Sequence, residues 1–347
     1  MKTTEVTDIK DSNEIEVEKL EDTPKGSKKS PLNSPFLIVG ILIVMAAFLT
    51  FMSSQFLTVN NILNLLTQSS IFGILAFSAQ LAITSKGIDI SLGSILAFSG
   101  IVAGVMSQRP EAIDKIIEGF PMMPIWATVL IAIIVGGLIG TVNGTLISRF
   151  ALPAFIATLG SQIVFRGGAL MISGGRPVSN INPHINFFGS RIGGWLPVPV
   201  LTYILVIIFM HILMNYTSFG KSVYAIGGNI EAANVSGIKV KRNLTLVYSL
   251  SGALAGLAAI VFMGRTGGSM QPAAAVGFET TAIAATTIGG TSHGGGISTV
   301  WGTLVGALIL GVITNGFTLL GINAYIQQIV QGLIIVGAVI IDMRRNK

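Results

Sequence analysis

The sequence contains no cysteine, and only 10% of its 347 residues are charged. The lack of cysteine excludes disulfide scaffolds and thiolate metal sites. An average soluble domain is about 25% charged. With 51% hydrophobic residues and a mean hydropathy of +0.76, a soluble globule of this length could not bury its apolar surface. The composition therefore excludes a soluble enzyme and predicts a helical protein that crosses a membrane several times.

Recognisable sites for nucleotides and metals are also missing from the sequence. The run Phe219-Gly-Lys-Ser222 looks like the end of a phosphate-binding loop, but Asn215 stands where that pattern needs glycine. The three histidines, His184, His211 and His293, are far apart and lack the spacing of metal ligands. No nucleophile lies beside a base in any known arrangement. We therefore expect this chain to have no catalytic residue and to bind no cofactor or metal.

Ten apolar segments make up most of the chain, and each is close to the length of about 20 residues that a membrane-spanning helix needs. They cover residues 36–52, 62–84, 90–106, 124–147, 152–173, 198–214, 244–263, 277–292, 297–320 and 323–341. The eighth segment is short and rich in threonine and glycine, which favours a broken or re-entrant helix lining a cavity. The sequence predicts an all-α bundle of about ten transmembrane helices within residues 34–343. Residues 1–33 are polar and rich in acids, and they predict a disordered cytoplasmic tail.

Lysine and arginine set the expected orientation of the bundle. With ten spans and a cytoplasmic N-terminus, twelve of these residues fall on the cytoplasmic side and five on the other. Nine spans would place the basic cluster at 344–347 outside, which favours ten. Membrane topology explains the basic residues better than nucleic-acid binding does. We expect a multi-pass protein of the bacterial cytoplasmic membrane with both termini in the cytoplasm, in contact with lipid and not with nucleic acid.

The long polar loop at residues 215–243 contains the pattern of a short helix. Asn229 can accept hydrogen bonds from the first-turn amides of this helix. Glu231 then lies in the first turn, at the positive end of the helix dipole. Gly237 can adopt the left-handed conformation that ends a helix. About two turns of helix are expected, lying parallel to the membrane face, and the small Ala232 and Ala233 would let another protein approach closely.

This loop also carries a family resemblance. Glu231-Ala-Ala233 followed by Gly237 matches the E-A-A-x-x-x-G loop of ABC-importer permease subunits, and the stretch 224–238 resembles the ribose-type carbohydrate branch of that family. Three further stretches agree with this branch across residues 36–342. They are Gly87-Ile-Asp-Ile-Ser-Leu-Gly93, Leu152-Pro-Ala-Phe-Ile-Ala-Thr-Leu-Gly160 with Arg166-Gly167 and Gly174-Gly-Arg-Pro177, and residues 282–302 around Ile288-Gly-Gly-Thr-Ser292.

The resemblance implies a transport subunit that works with partners. Two permease copies would pair in the membrane, an extracytoplasmic binding protein would deliver a sugar, and a cytoplasmic ATPase, in this branch often a fused tandem chain, would bind ATP-Mg. ATP binding and hydrolysis would switch the permease between outward and inward access. The loop that engages the ATPase would comprise Gly227, Gly228, Asn229, Glu231, Ala232, Ala233 and Gly237. Ribose or another monosaccharide is the expected substrate, and relatives that carry a sugar-like signalling molecule or nucleosides supply the alternative within the family.

Polar residues inside the apolar segments are candidates for the translocation path. Ionisable groups in a span cost about 2.5–3.5 kcal/mol on insertion scales, so each one requires an explanation. Two interpretations are open for every candidate: it lines the path of a neutral sugar, or it caps or bridges helices. The candidates are Asp89, Ser91, Asn143, Phe155, Thr158, Gln162, Arg166, Glu279, Asn315, Gln327 and Gln328. An alternative from a different class of protein is an ion-coupled secondary transporter that uses Asp89, Arg166 and Glu279.

Overall fold

The computed structural model describes residues 35–345, so the predicted tail at residues 1–33 lies outside the described part of the chain. Twelve α-helices account for nearly all of the described regular structure. They are α1 Pro35–Met52, α2 Val59–Thr84, α3 Leu92–Met106, α4 Ile125–Arg149, α5 Ala154–Ser173, α6 Val198–Tyr216, α7 Ser218–Gly228, α8 Ile230–Val235, α9 Val240–Arg265, α10 Phe278–Ile288, α11 Val300–Leu319 and α12 Ala324–Arg345. A 3₁₀ helix, Pro183–Gly189, and the antiparallel pair β1 Arg191–Ile192 and β2 Leu196–Pro197 precede α6.

Each of the ten predicted apolar segments contains one helix of the bundle. Within residues 35–345, six of these helices, α2, α4, α5, α6, α9 and α11, are long and apolar enough to cross a membrane. Helices α3 and α10 have only 15 and 11 residues. At 1.5 Å per residue they rise about 22 and 16 Å, which is less than the hydrocarbon core of about 30 Å. The all-α class and the multi-pass character are confirmed, and the shortness of α10 agrees with the predicted broken eighth segment.

Helices α2 and α9 form the centre of the bundle. Every residue from 69 to 84 of α2 is buried, and α9 packs along the whole of α4 through small residues. A Cβ atom added to Gly136, Gly140 or Gly144 would overlap the α9 backbone at Gly252, Tyr248 or Thr245. Glycine is therefore required where these two backbones meet, because small residues let helices within lipid approach each other closely.

The connections gather at two ends of the bundle. At one end, called here the loop-helix end, the amide of Gly296 donates to the carbonyl of Thr84 (2.9 Å), beside α7 and α8. At the other, called the hairpin end, Arg191 of β1 donates to Asn60 and Asn64 of α2, at 3.1 Å each. The loop helices α7 and α8 and the β-hairpin therefore lie at opposite ends of the bundle.

Candidate functional site

Helix α8 has the local structure that the sequence predicts. The side-chain oxygen of Asn229 accepts hydrogen bonds from the amides of Glu231 (3.0 Å) and Ala232 (2.9 Å). Gly237 follows the helix with φ +82°, in the left-handed region where glycine is favoured. Sequence analysis missed the preceding helix α7, whose first turn is capped by the hydroxyl of Thr217 on the amide of Gly220 (3.1 Å). The helical loop is therefore a two-helix unit and not a single helix.

One face of α8 packs on the bundle and the other faces outward. Ala233 is buried and packs with Ile226 of α7 and Leu244 of α9. On the opposite face, Val235 is 90% exposed, and Glu231 is exposed as well. The outward face of α8 thus carries an exposed aliphatic side chain and an acidic side chain.

The base of this unit is joined directly to the helices of the bundle. Gly227 is buried, and a Cβ there would clash with the backbone of Thr84, at the end of α2, and of Gly296. The hydroxyl of Tyr224 donates to the carbonyl of Ser298, just before α11, at 3.2 Å. Helix α7, which leads into α8, therefore contacts the end of α2 through its backbone and the segment before α11 through the Tyr224 side chain. Gly228, by contrast, has open space around it.

A basic groove of about 1010 Å³ runs beside α8, between the end of α4 and the start of α9. Its exposed cations are Arg149, Lys239, Lys241 and Arg242. Such a cluster next to a membrane attracts anionic lipid headgroups or an acidic protein surface. The groove thus extends the surface around α8 with positive charge.

Asp89 is fully buried at the centre of a polar network. Its carboxylate accepts hydrogen bonds from the amide (3.0 Å) and hydroxyl (2.5 Å) of Ser91 and from the hydroxyl of Ser251 in α9 (3.1 Å). The amide of Asn143 in α4 donates to the Ser91 hydroxyl (3.0 Å) and accepts from the hydroxyl of Ser161 in α5. The network holds the non-helical residues 85–91 inside the bundle, and α3 begins after them at Leu92 instead of near the predicted Ile90.

Glu279 and Arg166 hold a second non-helical segment, residues 266–277. One carboxylate oxygen of Glu279 accepts from the side chain of Gln162 and from the amide of Gly277, at 3.2 Å each. The guanidinium of Arg166 donates to the carbonyls of Pro272 and Ala274, at 2.7 Å each. Gln162 and Arg166 of α5 therefore brace the chain that leads into α10. Non-helical backbone within a membrane needs such hydrogen-bond partners from its neighbours.

The two non-helical segments bring the starts of α3 and α10 together inside the bundle. Gly93 is the second residue of α3, and Glu279 is the second residue of α10. A Cβ on Gly93 would overlap the carbonyl of Ala275 and the other carboxylate oxygen of Glu279. Two helix N-termini, each with positive dipole character, thus meet beside the buried carboxylates of Asp89 and Glu279.

The other sequence candidates do not join this network. Asn315 of α11 forms a double amide pair with Asn61 of α2, at 3.0 and 2.8 Å, which bridges the two helices. Thr158 is buried and donates to the carbonyl of Ala154 (2.8 Å), whereas Phe155 is half exposed on the outer face of α5. Two further candidates, Gln327 and Gln328 of α12, line a cavity near the start of α10.

Several polar partners were not found by sequence reasoning. Ser161, Ser251 and Asn61 look like ordinary small polar residues in apolar segments, and no local pattern distinguishes them. At the hairpin end, Asp114 accepts from Asn180 (3.0 Å) and Ser179 (2.7 Å). These hydrogen bonds hold the pKa of the Asp114 carboxyl below its usual value, so the group remains ionised at neutral pH. Among the described residues, no group of three or more metal-ligating side chains is present.

Comparison with known proteins identifies the family. Residues 61–339 match the family described as the permease component of the branched-chain amino acid transport system. The chain belongs to this family. It is a multi-pass membrane permease subunit, and its relatives of similar sequence are transport proteins and not enzymes.

Several relatives that match most of the chain are sugar permeases. The chain is 39% identical over 315 residues to the ribose import permease protein of Bacillus subtilis (strain 168), covering 90% of this chain and 92% of the relative. It is 36% identical over 332 residues to the D-allose transport system permease protein of Escherichia coli (strain K12), covering 93% and 97%. Identity to the galactose/methyl galactoside import permease protein of Salmonella typhimurium is 36% over 309 residues, covering 87% and 92%. No solved structure matches the chain significantly. The resemblance to the carbohydrate branch is confirmed.

Proposed function

We propose that this chain is the membrane permease subunit of an ATP-driven importer of a neutral monosaccharide, with ribose as the first candidate. The observation that carries the proposal is α8, a capped helix with an exposed outer face whose base contacts the ends of two bundle helices. Relatives that match nearly the whole chain are permeases for ribose, D-allose and galactosides, which supports a monosaccharide over the branched-chain amino acids of the family description.

The partners follow from this assignment. A cytoplasmic ATPase, which holds ATP-Mg, docks on α8 and the basic groove beside it. An extracytoplasmic binding protein delivers the sugar to the hairpin end. Two copies of the chain pair in the membrane, since most oligomers are homo-oligomers with two-fold symmetry. This chain itself binds no nucleotide and performs no chemistry.

Ten passes with both termini in the cytoplasm agree best with the direction of the helices. Helix α1 ends near Phe56, whose carbonyl accepts from Asn61 at the start of α2 (2.8 Å), so α1 ends at the hairpin end. Helix α12 begins after α11, which starts at the loop-helix end beside Ser298. Both termini then lie at the loop-helix end, which also holds most of the lysine and arginine residues.

The test is to replace Glu231 or Gly237 by arginine in the assembled transporter reconstituted in vesicles. We expect ATP-dependent sugar uptake and stimulation of the ATPase by the loaded binding protein to fall together, because the bulky cation disrupts the α8 surface or its end. Tyr216→Arg is the matched control, since Tyr216 is 73% exposed at the end of α6, at the same end of the bundle but outside α8 and the basic groove. Unchanged coupling in both α8 variants would contradict the proposal.

The same vesicles address the ion-coupled alternative. Asp89 and Glu279 are the carboxylates that such a transporter would use, but their oxygens accept hydrogen bonds that hold non-helical backbone. We expect no sugar accumulation when vesicles without the ATPase receive a proton or sodium gradient. Accumulation under those conditions would replace the proposed function with secondary transport.

A further inference from the structure

A cavity of about 530 Å³ lies between α2, α10, α11 and α12, close to where α10 begins. Its volume lies within the range of about 300–1,000 Å³ that is typical of small-molecule sites. Gly277, which has φ +83° just before α10, forms part of its wall. The break in the eighth segment therefore creates one side of this cavity, here called the amide cavity.

Side-chain amides and hydroxyls dominate the polar part of the wall. The amides are those of Gln68, Gln327, Gln328 and Gln331. Each amide carries both donors and an acceptor, so it can bind hydroxyl groups, which also donate and accept. Arg265 is the one cation among the lining residues, and no lining residue is acidic. This wall suits a neutral ligand with many hydroxyl groups better than an ammonium compound.

Threonine and aromatic side chains complete the wall. Thr280, Thr281 and Thr314 add hydroxyl groups, and the amide of Gln331 already donates to Thr281 (2.7 Å). Phe72 and Phe278 meet edge to face at 4.9 Å and form an apolar surface on which the C–H face of a ring can pack. Amides opposite an aromatic surface match the two kinds of surface that a sugar ring presents.

The position of the amides in the chain argues for a ligand and not only for packing. Gln327, Gln328 and Gln331 lie within eight residues of the start of α12, and Gln328 is exposed. An exposed amide facing hydrocarbon is costly, because lipid offers no hydrogen bonds. Water or a polar molecule in the cavity would supply the hydrogen bonds that lipid cannot.

We propose that the amide cavity holds a neutral monosaccharide during transport, within a single copy of the chain. This inference rests on the proposed function and extends it by naming the residues that hold the sugar. The hydroxyl groups of the sugar exchange hydrogen bonds with Gln68, Gln327 and Gln328, and its ring packs on Phe72 and Phe278. Because these bonds replace those with water, binding is weak enough to allow release.

The absence of cysteine from the chain permits a direct test. Gln328→Cys introduces a single thiol in the assembled transporter, and its rate of modification by a polar methanethiosulfonate reagent is measured in vesicles. We expect saturating ribose, allose or galactose to slow this rate several-fold by occupying the cavity. Ile329→Cys is the matched control, because Ile329 is 64% exposed and does not line the cavity. Its rate should not change with sugar.

The outcomes separate the two proposals. If wild-type vesicles import a sugar but that sugar protects position 328 no better than position 329, the cavity assignment is wrong and the proposed function stands. If wild-type vesicles import none of the three sugars with ATP, the proposed function itself fails.

As a second measurement, Gln327→Leu should raise the sugar concentration for half-maximal uptake several-fold, with ATPase assembly unchanged. An unchanged half-maximal concentration would overturn the role of this amide.

Discussion

The buried carboxylate of Asp89 has a structural role, because it accepts hydrogen bonds from neighbouring residues. All three of its described hydrogen bonds come from Ser91 and Ser251, and its side chain is inaccessible to solvent. A carboxyl group at this position is costly to bury, and the hydrogen-bond donors around it offset part of that cost. The residue therefore fixes the start of α3 and links it to α9.

Replacing Asp89 by alanine tests this structural role. We expect the variant to lose stability, because each buried donor left without an acceptor costs about 1–3 kcal/mol. Asp89→Asn should lose less, since its amide oxygen can still accept from Ser91. Thermal unfolding of the purified protein measures both changes, with exposed Glu118→Ala as the control. An Asp89→Ala midpoint equal to that of the control would disprove the role.

At the scale of helices, the α4–α9 contact depends on the absence of side chains. Gly140 faces the carbonyl of Tyr248 so closely that no Cβ can fit, whereas a Cβ on Gly137 would make an ordinary contact with Ala253 at 3.6 Å. Both glycines lie within the same helix, three residues apart. Because only Gly140 is confined by the α9 backbone, substitutions at the two positions distinguish the helix propensity of alanine from its effect on the packing of α4 against α9.

Alanine at these two glycines should affect the stability of the protein differently. Gly140→Ala forces α4 and α9 apart and should destabilise the protein by about 1–3 kcal/mol, as overpacking does. Gly137→Ala should be neutral or stabilise it by up to about 1 kcal/mol, through helix propensity. Comparing the unfolding midpoints of both variants in one detergent provides the measurement. Equal shifts for the two would show that the helices do not pack as described.

For the whole molecule, the outer face of α5 is where we expect a second copy to pair. Ile156, Gly160, Ile163, Gly167 and Leu170 recur at intervals of three or four residues and are all exposed. No atom lies within 4 Å of a Cβ built on either glycine. Small residues along one face let helices approach closely in lipid, where packing drives association.

Oxidative cross-linking can check this pairing face. Ile163→Cys in the cysteine-free chain should give a disulfide-linked dimer in native membranes. Leu205→Cys on α6, which is 59% exposed, should give several-fold less. Gel electrophoresis without reductant separates the two species. A dimer at position 205 but not at 163 would place the second copy on another face of the bundle.

Local chemistry made the helices predictable from sequence. Ten apolar runs are long enough to identify, and the amide cap of Asn229 and the left-handed Gly237 act within a few residues of α8. The threonine- and glycine-rich eighth segment indicated a break, because it is too short and too polar for an ordinary span. These features depend on neighbours in sequence, so the sequence by itself determined them.

Only the tertiary structure decided what the polar groups in the spans do. Asp89 meets Ser251 across 162 positions, Gln162 meets Glu279 across 117, and Asn61 pairs with Asn315 across 254. No local pattern encodes such partners, because hydrogen bonding inside lipid depends on which helices lie side by side. The sequence thus identified polar residues that are costly to place within a membrane. The packing of the helices determined whether each one braces a neighbouring segment or lines a cavity.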